Sequence, residues 1–298
     1  MRSLRKWPYV FVLPFFLCFF AFNLYPIIYS FMTSFMKWSA LDILNKTFIG
    51  LENYAKILKD TLYSKALINT FLLMLMSLPP VIVLGLLMAV LIDSLQRHKN
   101  LVQTITFLPY ITTPMAIGLM FAYLFDWNVG SVNILLKNIG LINENINWLG
   151  DARYTRYVLA LLTIWKNFGY FMVVYMSGLS SISNEYYEAA KVDGANSIQT
   201  FFRITVPLLR PITVFCIVNG CIGGLNLFDE PVQLIAGTGS SVVGGPKRSV
   251  LTMVWYFYNV SFQNSSNYGY GAAIAFVSFA IVAVFSLLNV KVLNRKED

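Results

Sequence analysis

The chain is 298 residues long; 57% of them are hydrophobic, 16% aromatic and only 12% charged, and the mean hydropathy is +0.63. Soluble domains carry about 25% charged residues, so a soluble enzyme, a disordered protein and a small disulfide-stapled domain are excluded. The formal net charge of +8 is spread over many loops, which suits the basic flanks of membrane spans better than a nucleic-acid surface.

Six apolar stretches follow in chain order, at about residues 9–35, 67–92, 101–125, 157–179, 211–236 and 270–293. Each is long enough to cross a hydrocarbon core of ~30 Å as a helix rising 1.5 Å per residue. The composition therefore predicts an all-α membrane protein with six transmembrane helices. The first stretch follows Arg2, Arg5 and Lys6, but it exceeds the 7–15 apolar residues of a signal core and no small-x-small cleavage site follows it. It is expected to remain as an uncleaved helix.

An even number of spans puts both termini on one side. Lys and Arg are denser in the loops of that side, which include Arg2, Arg5, Lys6, Arg97, Lys99, Lys191, Arg203, Arg210, Lys291, Arg295 and Lys296. The positive-inside rule then predicts cytoplasmic termini. On this topology Ser3, Ser197 and Asn294 lie inside, and Asn53, Asn145 and Asn264 outside. The outer loops, near residues 37–65, 126–156 and 237–268, are rich in Asn, Gly, Ser and aromatics and read as short folded caps. Cys18, Cys216 and Cys221 fall within apolar stretches at no metal or redox spacing, and are expected as buried small hydrophobes. His98 reads as a solvated loop residue.

The charged stretch 180–210 interrupts two spans and reads as helix–turn–helix. Glu188, Ala189, Ala190 and Lys191 favour a helix, with Asp193 near its end and Gly194 suited to the left-handed position that terminates it. Asn196 or Ser197 can cap a second short helix, whose Ile198, Phe201, Phe202 and Thr205 recur at three- to four-residue spacing. Two readings fit: a hairpin lying on the lipid headgroups, or a surface built to dock on another protein.

Polar residues within spans usually face a bundle interior or an aqueous path. Thr163, Lys166, Asn167 and Tyr170 recur at i, i+3, i+4 and i+7 on one helical face, and Asn219, Gly223 and Asn226 do likewise on the next span. Such stripes either line a cavity or bond neighbouring helices together. Lys166 has three readings: contact with an anionic solute, a pair with Asp229 or Glu230, or snorkelling. Asp229 and Glu230 come near a span end, too few to support an ion-coupled transporter, and no His, Asp or Ser/Lys cluster supports a membrane enzyme.

Glu188-Ala-Ala190, Gly194, Ile204 and Pro207 resemble the EAA loop of ABC-importer permeases, with Val206 where Leu is usual. Phe48-Ile-Gly-Leu-Glu-Asn-Tyr54, Trp165-Lys-Asn-Phe-Gly-Tyr170, Leu179-Ser-Ser-Ile182, Phe228-Asp-Glu-Pro231, Gly244-Gly-Pro246 and Tyr268-Gly-Tyr-Gly271 are similar, in order, to the maltose and oligosaccharide class of that family. The resemblance implies one permease domain over residues 1–298, with the type I importer fold and its MetI-like core, in a bacterial or archaeal cytoplasmic membrane. It implies that residues 180–210, through Glu188, Ala189, Ala190, Asp193, Gly194, Ile204 and Pro207, couple the chain to cytoplasmic ATPases. It also implies that the faces bearing Tyr170, Asn226, Asn167, Thr163, Lys166, Asn219 and Gly223 contribute to a sugar pathway; Tyr170 and Asn226 match residue types found there.

The implied partners are a homologous second permease, two ATPase subunits, an extracytoplasmic solute-binding protein, membrane lipid and a sugar, an oligosaccharide foremost. Glycerol phosphate or an anionic sugar is the alternative solute. No cofactor is expected in this chain, ATP and Mg2+ being bound by the ATPase partner. The nearest approach to a phosphate loop is Gly239–Ser249, where Gly245 stands at the position that requires Lys.

Overall fold

The computed structural model describes residues 7–95, 97–263 and 266–294. Arg2, Ser3, Arg5, Lys6, Asn264, Arg295 and Lys296, on which part of the topology reading rests, lie outside them. In chain order the helices are α1 (Trp7–Phe19), α2 (Tyr25–Thr33), α3 (Glu52–Lys59), α4 (Thr61–Asp93), α5 (Lys99–Ile111), α6 (Pro114–Leu124), α7 (Ser131–Asn138), α8 (Ala152–Leu179), α9 (Asn184–Val192), α10 (Ser197–Thr200), α11 (Val206–Leu208), α12 (Arg210–Leu225), α13 (Asp229–Ala236), α14 (Met253–Tyr258) and α15 (Tyr268–Asn294). A two-stranded antiparallel hairpin, β1 (Met36–Ser39) and β2 (Asp42–Phe48), follows α2.

Four helical stretches are long and apolar enough to span a bilayer: Tyr9–Thr33, Thr61–Asp93, Ala152–Leu179 and Tyr268–Asn289. Two bent helix pairs raise the number to six. Two of the expected spans are therefore not straight helices. The stretch 101–125 forms α5 and α6, bent by 93°. Thr112 and Thr113 are extended (ψ 141 and 139) and Pro114 opens α6, because a proline pushes its predecessor out of the helical region.

The stretch 211–236 is also interrupted. α12 ends at Leu225 and α13 begins at Asp229. Pro231 cannot donate to the carbonyl four residues back and its ring crowds that carbonyl, which disfavours a helix continuing through 227–231; in the first turn of a new helix the missing N–H costs nothing. The other bent pair, Ser197–Leu208 with Arg210–Leu225 (65°), reaches back into the charged stretch 180–210.

The chain divides into two compact units. One comprises the chain up to Tyr63 together with Phe257–Ile281. Here the first outer segment, expected only as a folded cap, carries the hairpin, with Met36 opposite Phe48 and Lys37 opposite Thr47. Buried Asn53 donates to the carbonyls of Ser34 (2.9 Å) and Met36 (3.0 Å), fixing α3 beneath the hairpin. Asp60 caps α4 by accepting from Leu62 N–H at 2.8 Å, while its other oxygen accepts from Tyr270 O–H at 2.6 Å. The Trp38 and Tyr268 rings lie 5.0 Å apart. Two motifs far apart in sequence, Phe48–Tyr54 and Tyr268–Gly271, thus belong to one folded cap. Cys18 is exposed on α1, against the expectation of burial, whereas Cys216 and Cys221 are buried.

The second unit comprises Ser64–Tyr256 and the chain from Val282 onward. Its core packs α4, α8 and α12 through Val81, Phe171, Met172, Tyr175, Leu209 and Cys216. α6 crosses α13 so closely that a Cβ on Gly118 would come within 2.6 Å of Gln233 Cβ. The glycine-rich turn is tied down from two helices. Asn69 donates to the carbonyls of Arg248 and Leu251, and its amide oxygen accepts from Arg156 at 3.0 Å. Gly244 and Gly245 both have positive φ (82 and 67), a backbone that glycine adopts without steric cost.

Candidate functional site

A cavity of about 490 Å³ opens in the second unit between α4, α5, α8, α12 and the segment entering α13. α8 presents Thr163, Asn167 and Tyr170 to it, and α12 presents Asn219 and Gly223, with Asn226 just past its end. Six of the seven residues assigned to the two polar stripes are thereby brought to one wall. The stripes converge because each side chain recurs every three or four residues, so that one face of each helix turns inward.

The polar groups are partly committed to the helices themselves. Asn167 Nδ2 donates to Thr163 O (2.8 Å), Asn226 Nδ2 to Ile222 O (2.8 Å) and Thr163 Oγ1 to Leu159 O (2.9 Å). Across the helix pair, Asn219 Nδ2 donates to the Tyr170 hydroxyl at 2.9 Å. That bond leaves the Tyr170 O–H free to donate. The amide oxygens of Asn167, Asn219 and Asn226 accept from no group among the described residues and each amide keeps a second N–H, so the wall carries unmatched acceptors and donors beside the Tyr170 O–H. A Cβ added to Gly223 would meet nothing within 4 Å; its place in the wall is open space.

Lys166 is the exception. It is not part of the lining: its Nζ lies 2.6 Å from Glu230 Oε1, and both side chains are only 12% exposed. Of its three readings, the ion pair with Glu230 is the one observed. Asp229 and Glu230, expected near a span end, both line the cavity. Their place in the first turn of α13 also suits the positive end of the helix dipole.

Ser77, Leu78 and Val81 of α4 and Tyr110 of α5 belong to the wall too, and were not singled out from the sequence. Tyr110 stacks on Tyr170 with centroids 4.8 Å apart and planes at 23°, giving the cavity a continuous aromatic face. The pair Pro79-Pro80 inside α4, where two rungs of the helical ladder cannot form, is the one local signal that marked this part of α4.

The stretch 180–210 forms a second concavity of about 390 Å³, lined by Asp193, Gly194 and Ile204 with Ala190, Gln199 and Arg203 among others. α9 ends in a Schellman turn: Gly194 has φ +75 and donates to Lys191 O, and Ala195 N–H reaches Ala190 O at 2.9 Å. Asn196 rather than Ser197 caps the second helix, in a reciprocal capping box with Gln199. Glu188, Ala189 and Pro207 are exposed, Ile204 is half-buried and Ala190 is buried. Val192 (88% exposed), Ile198 (70%) and Phe202 (65%) leave an apolar surface on the hairpin.

A helical bundle with such a cavity and an exposed capped hairpin suits a membrane permease. Residues 64–297 match the family described as binding-protein-dependent transport system inner membrane component. The chain belongs to that family, a multi-pass membrane permease family. It is 33% identical over 269 residues to the lactose transport system permease protein LacF of Rhizobium radiobacter, covering 90% of this chain and 87% of that protein. It is 32% identical over 291 residues to the arabinooligosaccharides transport system permease protein AraP of Bacillus subtilis, covering 97% and 89%. A chain in the crystal structure of a bacterial ABC transporter involved in import of the acidic polysaccharide alginate has the same fold, with a TM-score of 0.83 at 24% identity over 98% of this chain and 96% of that one.

Proposed function

We propose that this chain is a permease subunit of an ATP-driven, binding-protein-dependent importer for an oligosaccharide. One observation carries the reading: three amide acceptors, a phenolic donor and the stacked Tyr110–Tyr170 pair face one cavity, and a sugar offers hydroxyls to the first groups and C–H surface to the last. The sugar-transport names of the LacF and AraP permeases support it. So does a structure of the alginate transporter in complex with an alginate-bound periplasmic protein, whose matching chain has a TM-score of 0.79.

In this reading the pathway is completed by a homologous second permease. A solute-binding protein delivers the sugar from outside, and two ATPase subunits bind ATP and Mg2+ on the cytoplasmic side. Both termini of this chain are cytoplasmic, as are residues 180–210. Closure of the ATPases draws the coupling hairpins together and turns the cavity outward; hydrolysis resets it inward. The chain supplies path and lever and breaks no bond. Glu230 is engaged by Lys166, which argues against its service as a proton relay in an ion-coupled carrier.

Reconstitution of the assembled complex in proteoliposomes, with its binding protein and a panel of labelled sugars, tests the function. ATP-dependent uptake of an oligosaccharide is the expected result. Uptake driven by an ion gradient without ATP would overturn it.

A further inference from the structure

The Lys166–Glu230 pair bears on which glycans the cavity accepts. Resting on the oligosaccharide reading above, we infer that the wall built by this chain takes uncharged glycans and rejects anionic ones. Glu230 is the specificity-determining residue that cancels Lys166, and Asp229 is the charge left facing the solute.

The lining of the cavity contains no Lys, Arg or His, but it contains both Asp229 and Glu230. The cation nearest to it in sequence terms, Lys166, sits 2.6 Å from Glu230 Oε1 with both partners 12% exposed. To engage that ammonium, a substrate carboxylate would have to displace Glu230 and strand its charge in a largely desolvated place, which is strongly unfavourable. Asp229 is exposed to the cavity and has no ion-pair partner among the described residues. A second carboxylate brought beside it meets like charge.

Hydrogen-bond chemistry separates the two classes at Asp229 alone. Asn167, Asn219 and Asn226 each offer an unmatched amide oxygen and a second N–H, which suit either class. Sugar hydroxyls can donate to the Asp229 carboxylate, whereas the carboxylate of a uronic acid cannot. The likeness to the alginate transporter is one of fold, and the charges of this wall do not suit an acidic polysaccharide.

The experiment is saturation-transfer NMR on the assembled permease–ATPase complex in nanodiscs, without binding protein, so that the cavity alone selects. The probes are a pool of neutral trisaccharides and their C6-carboxylate counterparts. In the wild-type complex the neutral probes are expected to give at least tenfold stronger transfer than the carboxylates. Glu230→Gln, which unmasks Lys166, and Asp229→Asn, which removes the facing charge, should each raise the carboxylate-to-neutral ratio several-fold. If Glu230→Gln fails to assemble, Asp229→Asn still decides. Equal transfer to both classes in the wild type, or a ratio that the assembled variants leave unmoved, would overturn the charge inference alone. Transfer to neither class, in a complex that hydrolyses ATP, would overturn the oligosaccharide reading and this inference with it.

Discussion

Asn219 on α12 donates its amide hydrogen to the hydroxyl of Tyr170 on α8, 2.9 Å away. This single bond joins the two polar stripes into one wall and orients the Tyr170 ring against Tyr110. It also separates two possible roles for these residues, since a bond within the wall glues helices whereas the unmatched amide groups would address a solute.

The two roles give different outcomes for Tyr170→Phe and Asn226→Ala. A net hydrogen bond is worth about 0.5–1.5 kcal/mol, so each loss should lower uptake per assembled complex several-fold. The amount of assembled complex should fall little for Asn226→Ala, because Asn226 bonds only within its own helix turn, and more for Tyr170→Phe, which also removes the acceptor of the Asn219 bond. Complex recovered by affinity purification, set against labelled-sugar uptake, gives both numbers. Loss of complex with unchanged uptake per complex would assign these residues to helix packing.

Gly223 and Gly220 provide a matched pair of tests on one helix. A Cβ on Gly223 meets nothing within 4 Å, whereas one on Gly220 would collide with the Leu78 side chain. Gly223→Leu should therefore fill the cavity and abolish uptake while the complex still assembles. Gly220→Leu should reduce assembly itself, since overpacking of this kind costs about 1–3 kcal/mol. Thermal unfolding of the detergent-solubilised complex distinguishes the two.

The hairpin at residues 180–210 can be broken at its turn. Gly194 has φ +75, where a β-branched residue is strained by about 1–3 kcal/mol. Gly194→Val should disturb the Schellman turn, and Glu188→Lys should reverse the charge of an exposed face of α9. Both should lower the ATPase bound per permease and the stimulated hydrolysis, with the spans still inserted. Normal transport with a normal ATPase complement in either variant would remove the hairpin as the lever.

Orientation is tested by single-cysteine labelling with an impermeant reagent. Asn53, which the sequence suggests as an outer marker, is buried at 6% exposure and makes two hydrogen bonds, so Leu41, 94% exposed at the hairpin turn, takes its place. Leu41→Cys should react in sealed cells and Ser197→Cys only after permeabilisation. Labelling of Ser197→Cys from outside would invert the topology and end the coupling role.

The capped ends of α9 and α10 were legible in the sequence because they rest on local chemistry. Gly194 terminates one helix and Asn196 caps the next through contacts only a few residues long. The polar face of α8 was legible for a related reason, since a helical period fixes which side chains share a face. The position of the cavity was not. Tyr110 and Ser77 carry no periodic signal, and they reach the wall only because α5 and α4 pack beside α8.

Composition and periodicity alone determined that this chain would be a helical membrane protein, where its polar stripes lay, and how the turn at Gly194 would form, because each depends on hydropathy or on neighbours within a helical turn. Tertiary structure decided the rest. It bent the third stretch by 93° at Thr113-Pro114 and restarted a helix at Asp229, bringing two carboxylates to a cavity instead of a span end. It also chose among the three readings of Lys166. A long flexible cation can satisfy several partners, and sequence spacing does not rank them. Only the packing of α8 beside α13 placed Glu230 2.6 Å from its ammonium, where both side chains are only 12% exposed.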